Sequence, residues 1–315
     1  MVADPSCVLV PGPWEHRNVP ANGAQFHVVL AGPADSRRPL VVLLHAFPQF
    51  WWAWRQQIPA LAEAGYRVAA MDLRGFGGSD KPPRRHETAV FARDVAGVIR
   101  SLGAADAVVV GHGFGGTVAW SMPSFAPGLT RAVAVLANPH PLPLHRLGNK
   151  MPVRALATLA RFQVPWFPER ALREGTLVAD LLREWSAPGN DGATSQAPRY
   201  TEAMGLPFAA HSAMEHFRWL VRSTPRTDGR RYLAAVSRPV TVPVLSVRGA
   251  SDRLLPARTF ARDAEFVTGP LREHVVAGAG HFLPEEAPEE VTDLLLAFLA
   301  TQHDAADGRE ISSSR

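Results

Sequence analysis

Cysteine occurs once in 315 residues, at Cys7. A single thiol cannot close an intrachain disulfide, so no disulfide framework is available and a reducing cytoplasm is the expected setting. Long apolar runs are missing too: none approaches the roughly 18 residues that a membrane span needs. The opening Met-Val-Ala-Asp-Pro-Ser-Cys carries an acid where a signal peptide needs basic groups, and no apolar stretch of signal length follows. Lysine is nearly absent, found only at Lys81 and Lys150. The net charge of +4 therefore rests on arginines, which are scattered through every predicted element. A nucleic-acid binder gathers its charge on one face, so nucleic acid is not an expected partner.

Hydrophobic residues make up 46% and charged residues 20%, the balance of a soluble globular chain. Such a length accommodates one large core with an insertion, or two small domains. Two apolar-alternating stretches, residues 14–19 and 26–30, flank Asn22-Gly23, the strongest short-range hairpin signal. Leu40-Val-Val-Leu-Leu44 is a buried strand by length and composition, followed by His45-Ala46-Phe47-Pro48. A Trp-rich helix is expected over 51–64, closed by Gly65, then a strand over 66–71 that ends at Asp72. Helical spacing covers 88–102, and further strands are expected at 108–110 and 132–136. This alternation argues for a doubly wound, mainly parallel sheet, with ligands beyond the carboxyl ends of its strands.

The pattern changes after Asn138. Prolines cluster, aromatic residues rise and no strand-like run appears before about Arg238. Short helices are expected at 152–161, 169–185 and 211–222, an all-helical insertion read as a lid. The sheet pattern then resumes, with strands over 243–247 and 274–277 and helices over 257–266 and 288–299. The expected organisation is a core of residues 1–138 and 239–300, a helical lid of 139–238, and a polar, disordered tail of 301–315.

Function centres on Val108-Val-Val-Gly-His-Gly-Phe-Gly-Gly116, a strand breaking into a glycine turn and a helix. That is the form of a nucleophile elbow, Gly-x-Nuc-x-Gly, in which a reactive side chain is held in a strained turn above the sheet. Gly111 and Gly115 take the two glycine positions, while the middle position is Gly113, which has no side chain. Downstream, one strand leads to Gly249-Ala-Ser-Asp252 and the next to Gly278-Ala-Gly-His281. The order nucleophile, acid, histidine is that of the α/β-hydrolases, in which the acid fixes the imidazole tautomer and leaves the other ring nitrogen as a base. His112 is expected to point away from the rim. His140 and His145 lack a third ligand at suitable spacing, so no metal is expected.

With these motifs in place, the chain resembles an α/β-hydrolase of the epoxide-hydrolase-like branch. The likeness rests on His45-Ala-Phe-Pro-Gln-Phe-Trp-Trp-Ala-Trp-Arg-Gln57, Asp72-Leu-Arg-Gly-Phe-Gly-Gly-Ser-Asp-Lys-Pro82, the elbow, the Asp252 turn and Gly278-Ala-Gly-His-Phe-Leu-Pro-Glu-Glu-Ala-Pro-Glu-Glu290. It implies the α/β-hydrolase fold: an eight-stranded, mostly parallel sheet, helices on both faces and an inserted lid. It further implies an oxyanion hole from the Phe47 and Phe114 amides, and substrate-binding roles for His45, Phe162, Trp166 and Phe217. It also implies a structural role for the loop that carries Asp72 and Asp80; no cofactor is implied, and the partner is a small apolar molecule.

The chain departs from that branch in several places. Ala46 stands at a position where the branch carries glycine, and Gly113 where it carries the aspartate that attacks the epoxide. Two lid tyrosines that protonate the epoxide oxygen correspond to Phe217 and, more loosely, Phe162. Phenylalanine fills the space and cannot donate a proton. Three readings follow: base chemistry by His281 and Asp252 on water or on a substrate proton, cofactor-free oxygenation included; a catalytically silent small-ligand binder; or an epoxide hydrolase with its nucleophile removed. The missing tyrosines count against the last, since loss of one nucleophile would not delete them as well.

Overall fold

The computed structural model describes residues 3–147, 152–223, 225–255 and 257–312. Eight strands form one sheet: β1 (Glu15–Ala21), β2 (Ala24–Ala31), β3 (Leu40–Leu44), β4 (Val68–Met71), β5 (Ala107–His112), β6 (Thr130–Leu136), β7 (Val244–Gly249) and β8 (Leu271–Val276). Their spatial order is β1-β2-β4-β3-β5-β6-β7-β8. The first two pairings are antiparallel and the rest parallel. Ala21 pairs with Ala24 across Asn22 and Gly23, both at positive φ, the two-residue turn whose twist suits a hairpin. Every residue of β3, β4 and β5 is buried, which explains the unbroken apolar runs: these strands are covered on both faces.

Three helices complete the first half of the core: α1 (Gln57–Glu63), α2 (Thr88–Ser101) and α3 (Phe114–Phe125). Between β6 and β7 lie α4 (Pro141–Leu147), α5 (Val153–Gln163), α6 (Phe167–Glu174), α7 (Thr176–Trp185), α8 (Ala197–Met204), α9 (Ala209–Arg222) and α10 (Thr227–Val236). The chain ends with α11 (Ala257–Phe260), α12 (Leu283–Glu286) and α13 (Pro288–Ser312). α2 packs on α3, while α1 packs on α13. No helix among the described residues is long and apolar enough to cross a membrane.

Several elements differ from the sequence expectation. The Trp-rich segment is not one helix: a 3-10 turn, Trp51–Trp54, precedes α1. The Trp51 amide donates to the buried Asp72 carboxylate at 2.8 Å, and its ring meets Trp14 and Trp52 edge to face. These contacts fix the turn independently of the helix that follows. The expected 169–185 helix is broken at Gly175, whose left-handed φ of 85° ends α6 and starts α7. The α4, α8 and α10 helices were not among the expected elements. α13 runs to Ser312, past residue 301 where a disordered tail was expected. No proline follows Pro288 to stop it, and alanines at 300, 305 and 306 favour helix. Residues 313–315 lie outside the described residues.

The registers matter most for function. Leu44 is level with Gly111, His112 with Leu136, and Gly249 with Val276. The loops leaving β3, β5, β7 and β8 therefore emerge at one edge, where His45–Phe47, Gly113, Asp252 and His281 converge.

Candidate active site

Asp252 sits in the turn after β7. One carboxylate oxygen accepts the Leu254 and Leu255 amides at 2.8 and 3.0 Å, which fixes its rotamer. The other lies 2.9 Å from His281 Nδ1, and both side chains are buried. A carboxylate so placed accepts a hydrogen bond from Nδ1–H and holds the proton on that nitrogen, leaving Nε2 as the unprotonated one. The dyad anticipated from chain order is thus in hydrogen-bonding contact.

His281 is held from every side. Its amide donates to the Trp185 carbonyl at 3.0 Å, and its carbonyl accepts from His112 Nε2 at 2.7 Å. The Glu286 carboxylate spans the residues around it, accepting Phe282 N at 2.7 Å on one oxygen and Gly280 N at 2.8 Å on the other. The second oxygen also accepts Ala187 N at 2.7 Å, which ties the histidine loop to the end of α7. Two of these contacts extend the sequence reading. His112 does not line the cavity; it supports His281 from below, kept neutral by burial that pushes its pKa down to about 3. Glu286 was visible only as part of a motif, and only the fold gives it three amides to accept.

Gly113 is the residue between β5 and α3, with φ 51° and ψ −114°. Few side chains tolerate that φ. Its amide bonds the Leu136 carbonyl, and two residues on the Gly115 amide bonds the His45 carbonyl at 3.1 Å. Gly115 approaches β3 so closely that a Cβ there would lie 2.4 Å from the Leu44 carbonyl oxygen. A Cβ on Gly113 would stand 3.1 Å from His281 Nε2 and 2.8 Å from the Ala46 methyl. The position therefore faces the unprotonated nitrogen of the dyad.

Gly113 and His281 open onto a cavity of about 580 Å³, walled chiefly by Phe47, Phe114, Phe162, Phe217 and Trp185. Phe47, Phe162 and Phe217 form a three-ring cluster with centroids 4.9 to 5.7 Å apart. Asn138, Thr117, Gln163 and His145 add sparse polar groups that the sequence did not single out as ligand contacts. Phe114 is the first residue of α3, so its amide has no carbonyl one turn behind it. Neither it nor the Phe47 amide donates to an acceptor in the backbone hydrogen bonds of the described residues.

Two expected substrate contacts are corrected. His45 does not line the cavity: it is fully buried, with Nδ1 donating to the Ala46 carbonyl at 2.9 Å and Nε2 accepting the Leu73 amide at 3.1 Å. Burial lowers its pKa, and the neutral ring pins two loops together. Trp166 does not line it either. It lies at the start of α6, 59% exposed, with its ring against Phe167 and the Arg170 guanidinium. Asp72 is structural as expected, buried and accepting from His27 Nδ1, Trp51 N and Gly78 N. His140 is buried against Phe266, and the described residues hold no cluster of His, Cys, Asp and Glu suited to a metal.

An elbow after β5, an acid after β7 and a histidine after β8, all on one rim of a mostly parallel eight-stranded sheet, define an α/β-hydrolase. The family profile for the alpha/beta hydrolase fold matches residues 39–288. The chain is 33% identical to epoxide hydrolase A of Mycobacterium tuberculosis, over 90% of this chain and 96% of that one. It is equally 33% identical to the AB hydrolase superfamily protein YfhM of Bacillus subtilis, over 90% and 97%. Among solved structures, epoxide hydrolase A from Mycobacterium thermoresistibile superposes with a TM-score of 0.78 at 27% identity, covering 91% of this chain and 98% of its own. The chain belongs to the α/β-hydrolase family, in its epoxide-hydrolase-like branch.

Proposed function

We propose that this chain is a hydrolase in which His281, oriented by Asp252, activates water directly, and that its substrate is a small apolar carbonyl compound, an ester or lactone, rather than an epoxide. The helices of residues 139–238 act as a lid over the cavity. The observation that carries the reading is the open position at Gly113, which turns His281 Nε2 toward the cavity with no side-chain nucleophile between them.

Epoxide opening by the route of the branch requires an aspartate nucleophile and a tyrosine acid for the departing oxygen, and the corresponding positions here are Gly113, Phe217 and, more loosely, Phe162. The chain has three tyrosines. Tyr66 OH accepts from Arg38 and Tyr200 OH donates to Glu285, and neither ring lines the cavity. Tyr232 reaches the cavity wall, but Ser121 gives its own proton to the Thr117 carbonyl, so the 3.0 Å bond between the two hydroxyls uses the Tyr232 proton. No tyrosine is free to protonate an epoxide. Ester hydrolysis needs no such acid in its first step. His281 Nε2 takes a proton from water as the water oxygen bonds to the carbonyl carbon. The resulting oxyanion is stabilised by the Phe47 and Phe114 amides, the latter at a helix N-terminus. When the intermediate collapses, the C–O bond to the alcohol breaks and the leaving oxygen takes the proton from Nε2. Acid and alcohol result, with no covalent enzyme intermediate.

The test is a panel of aryl and alkyl esters, lactones and styrene oxide, assayed with the wild type and His281→Ala. Ester or lactone turnover that falls at least about 100-fold in the variant is expected, in keeping with general base catalysis. A single turnover in ¹⁸O-water should place solvent oxygen in the acid product. Wild-type turnover of styrene oxide at about 1 per second or faster would overturn the proposal.

A further inference from the structure

We infer that Ala46 is a specificity-determining residue: its methyl group takes the space that the first carbon of a nucleophile at position 113 would need, so that the site is committed to water as its nucleophile. The inference shares with the proposed function the placement of Gly113 opposite His281, and it depends on no measured activity.

The geometry is direct. A Cβ on Gly113 would lie 2.8 Å from the Ala46 Cβ, closer than real carbon contacts of this kind. The Ala46 Cα would be 3.7 Å away, an ordinary contact. Removal of one methyl therefore turns a clash into normal packing. The remaining neighbour, His281 Nε2 at 3.1 Å, is the end of a side chain and can yield by a few tenths of an ångström.

Ala46 cannot yield in the same way, because its methyl is attached to fixed backbone. The Ala46 carbonyl accepts the Gln49 amide at 3.0 Å and His45 Nδ1 at 2.9 Å. The preceding carbonyl, of His45, accepts the Gly115 amide, and the His45 ring is bonded in turn to Leu73 N. Ala46 is also 1% exposed, so no solvent-side movement is open to it. The missing side chain at 113 and the extra methyl at 46 are two halves of one arrangement. A side chain cannot be restored at 113 at low cost while the methyl at 46 remains.

A double-mutant cycle tests this with Gly113→Ala, which adds the Cβ and nothing else, in the wild-type and Ala46→Gly backgrounds. In the wild type, Gly113→Ala should lower the thermal midpoint by roughly 5 °C or more, from overpacking added to the unfavourable φ. In the Ala46→Gly background the same step should cost less than half as much. Equal steps in both backgrounds would overturn the inference, because the φ cost alone is independent of residue 46. If Gly113→Ala does not accumulate folded, a folded double variant supports the inference and a double variant that also fails overturns it. An additive cycle leaves hydrolysis by His281 standing, and an inactive enzyme leaves the cycle standing, so the two readings fail separately.

Discussion

Replacing Glu286 with glutamine should loosen the loop that carries His281. In the native protein the carboxylate accepts three amides at 2.7 to 2.8 Å, Phe282 on one oxygen and Gly280 with Ala187 on the other. The side chain is 8% exposed, so water cannot take its place. Glutamine retains a single acceptor oxygen. Its best orientation keeps the two amides of Gly280 and Ala187 and sets an NH₂ group against the Phe282 amide. One buried N–H left without an acceptor costs about 1–3 kcal/mol. The two retained bonds lose the charge of the acceptor, roughly another 1 kcal/mol in all. The expected loss is therefore about 2–4 kcal/mol, a large share of the stability of a typical domain. Urea denaturation measures the total, and hydrogen exchange at Gly280, Phe282 and Ala187 shows whether the loss is local. A change below about 0.5 kcal/mol, or unaltered exchange at Phe282, would refute the clamp.

Two further perturbations follow from buried charge. Burial raises the Asp263 pKa to about 7, while its oxygens accept His140 N at 2.8 Å and the Ser246 hydroxyl at 3.1 Å. A carboxyl whose folded pKa is raised favours the native state at low pH. Its contribution is complete below the unfolded value near 4 and is lost as pH climbs from about 4 to about 7. Asp263→Asn should therefore gain stability relative to the wild type between pH 5 and pH 8, by a few kcal/mol at most, and parallel pH profiles would contradict this. Arg74 makes two 2.6 Å bonds to the fully buried Asp94 carboxylate. Arg74→Met should cost about 3–5 kcal/mol by stranding that charge, and Arg74→Met/Asp94→Leu should recover most of it. Denaturation midpoints that rank the double variant no better than the single one would count against the account.

What the sequence determined is what short-range chemistry can write. Unbroken β-branched and leucine runs at 40–44 and 108–110 can satisfy neither a solvent face nor a helical period, so they mark central strands. Asn22-Gly23 specifies its turn through two positive φ values. The order elbow, Asp252, His281 follows from strands that each end in a glycine turn, and that order alone pairs the acid with the histidine. The glycine at the middle position of the elbow, Gly113, is equally local and is read directly from the motif.

Only the tertiary structure decided which of two buried or aromatic residues faces the cavity. His45 and Phe47 lie two positions apart, yet one is pinned between loops and the other lines the site. Trp166 and Phe162 were equal candidates, and the left-handed backbone at Trp166, φ 75°, turns it to solvent while Phe162 is 1% exposed in the ring cluster. The support of His281 by His112 joins residues 169 positions apart, and the Glu286 bond to Ala187 spans 99. The clash that couples Ala46 to Gly113 depends on less than an ångström between two loops. Periodicity and turn chemistry fix which face of an element is buried. They carry no information on which atom of a distant loop arrives there, because packing and long-range hydrogen bonds settle that only once the chain has closed.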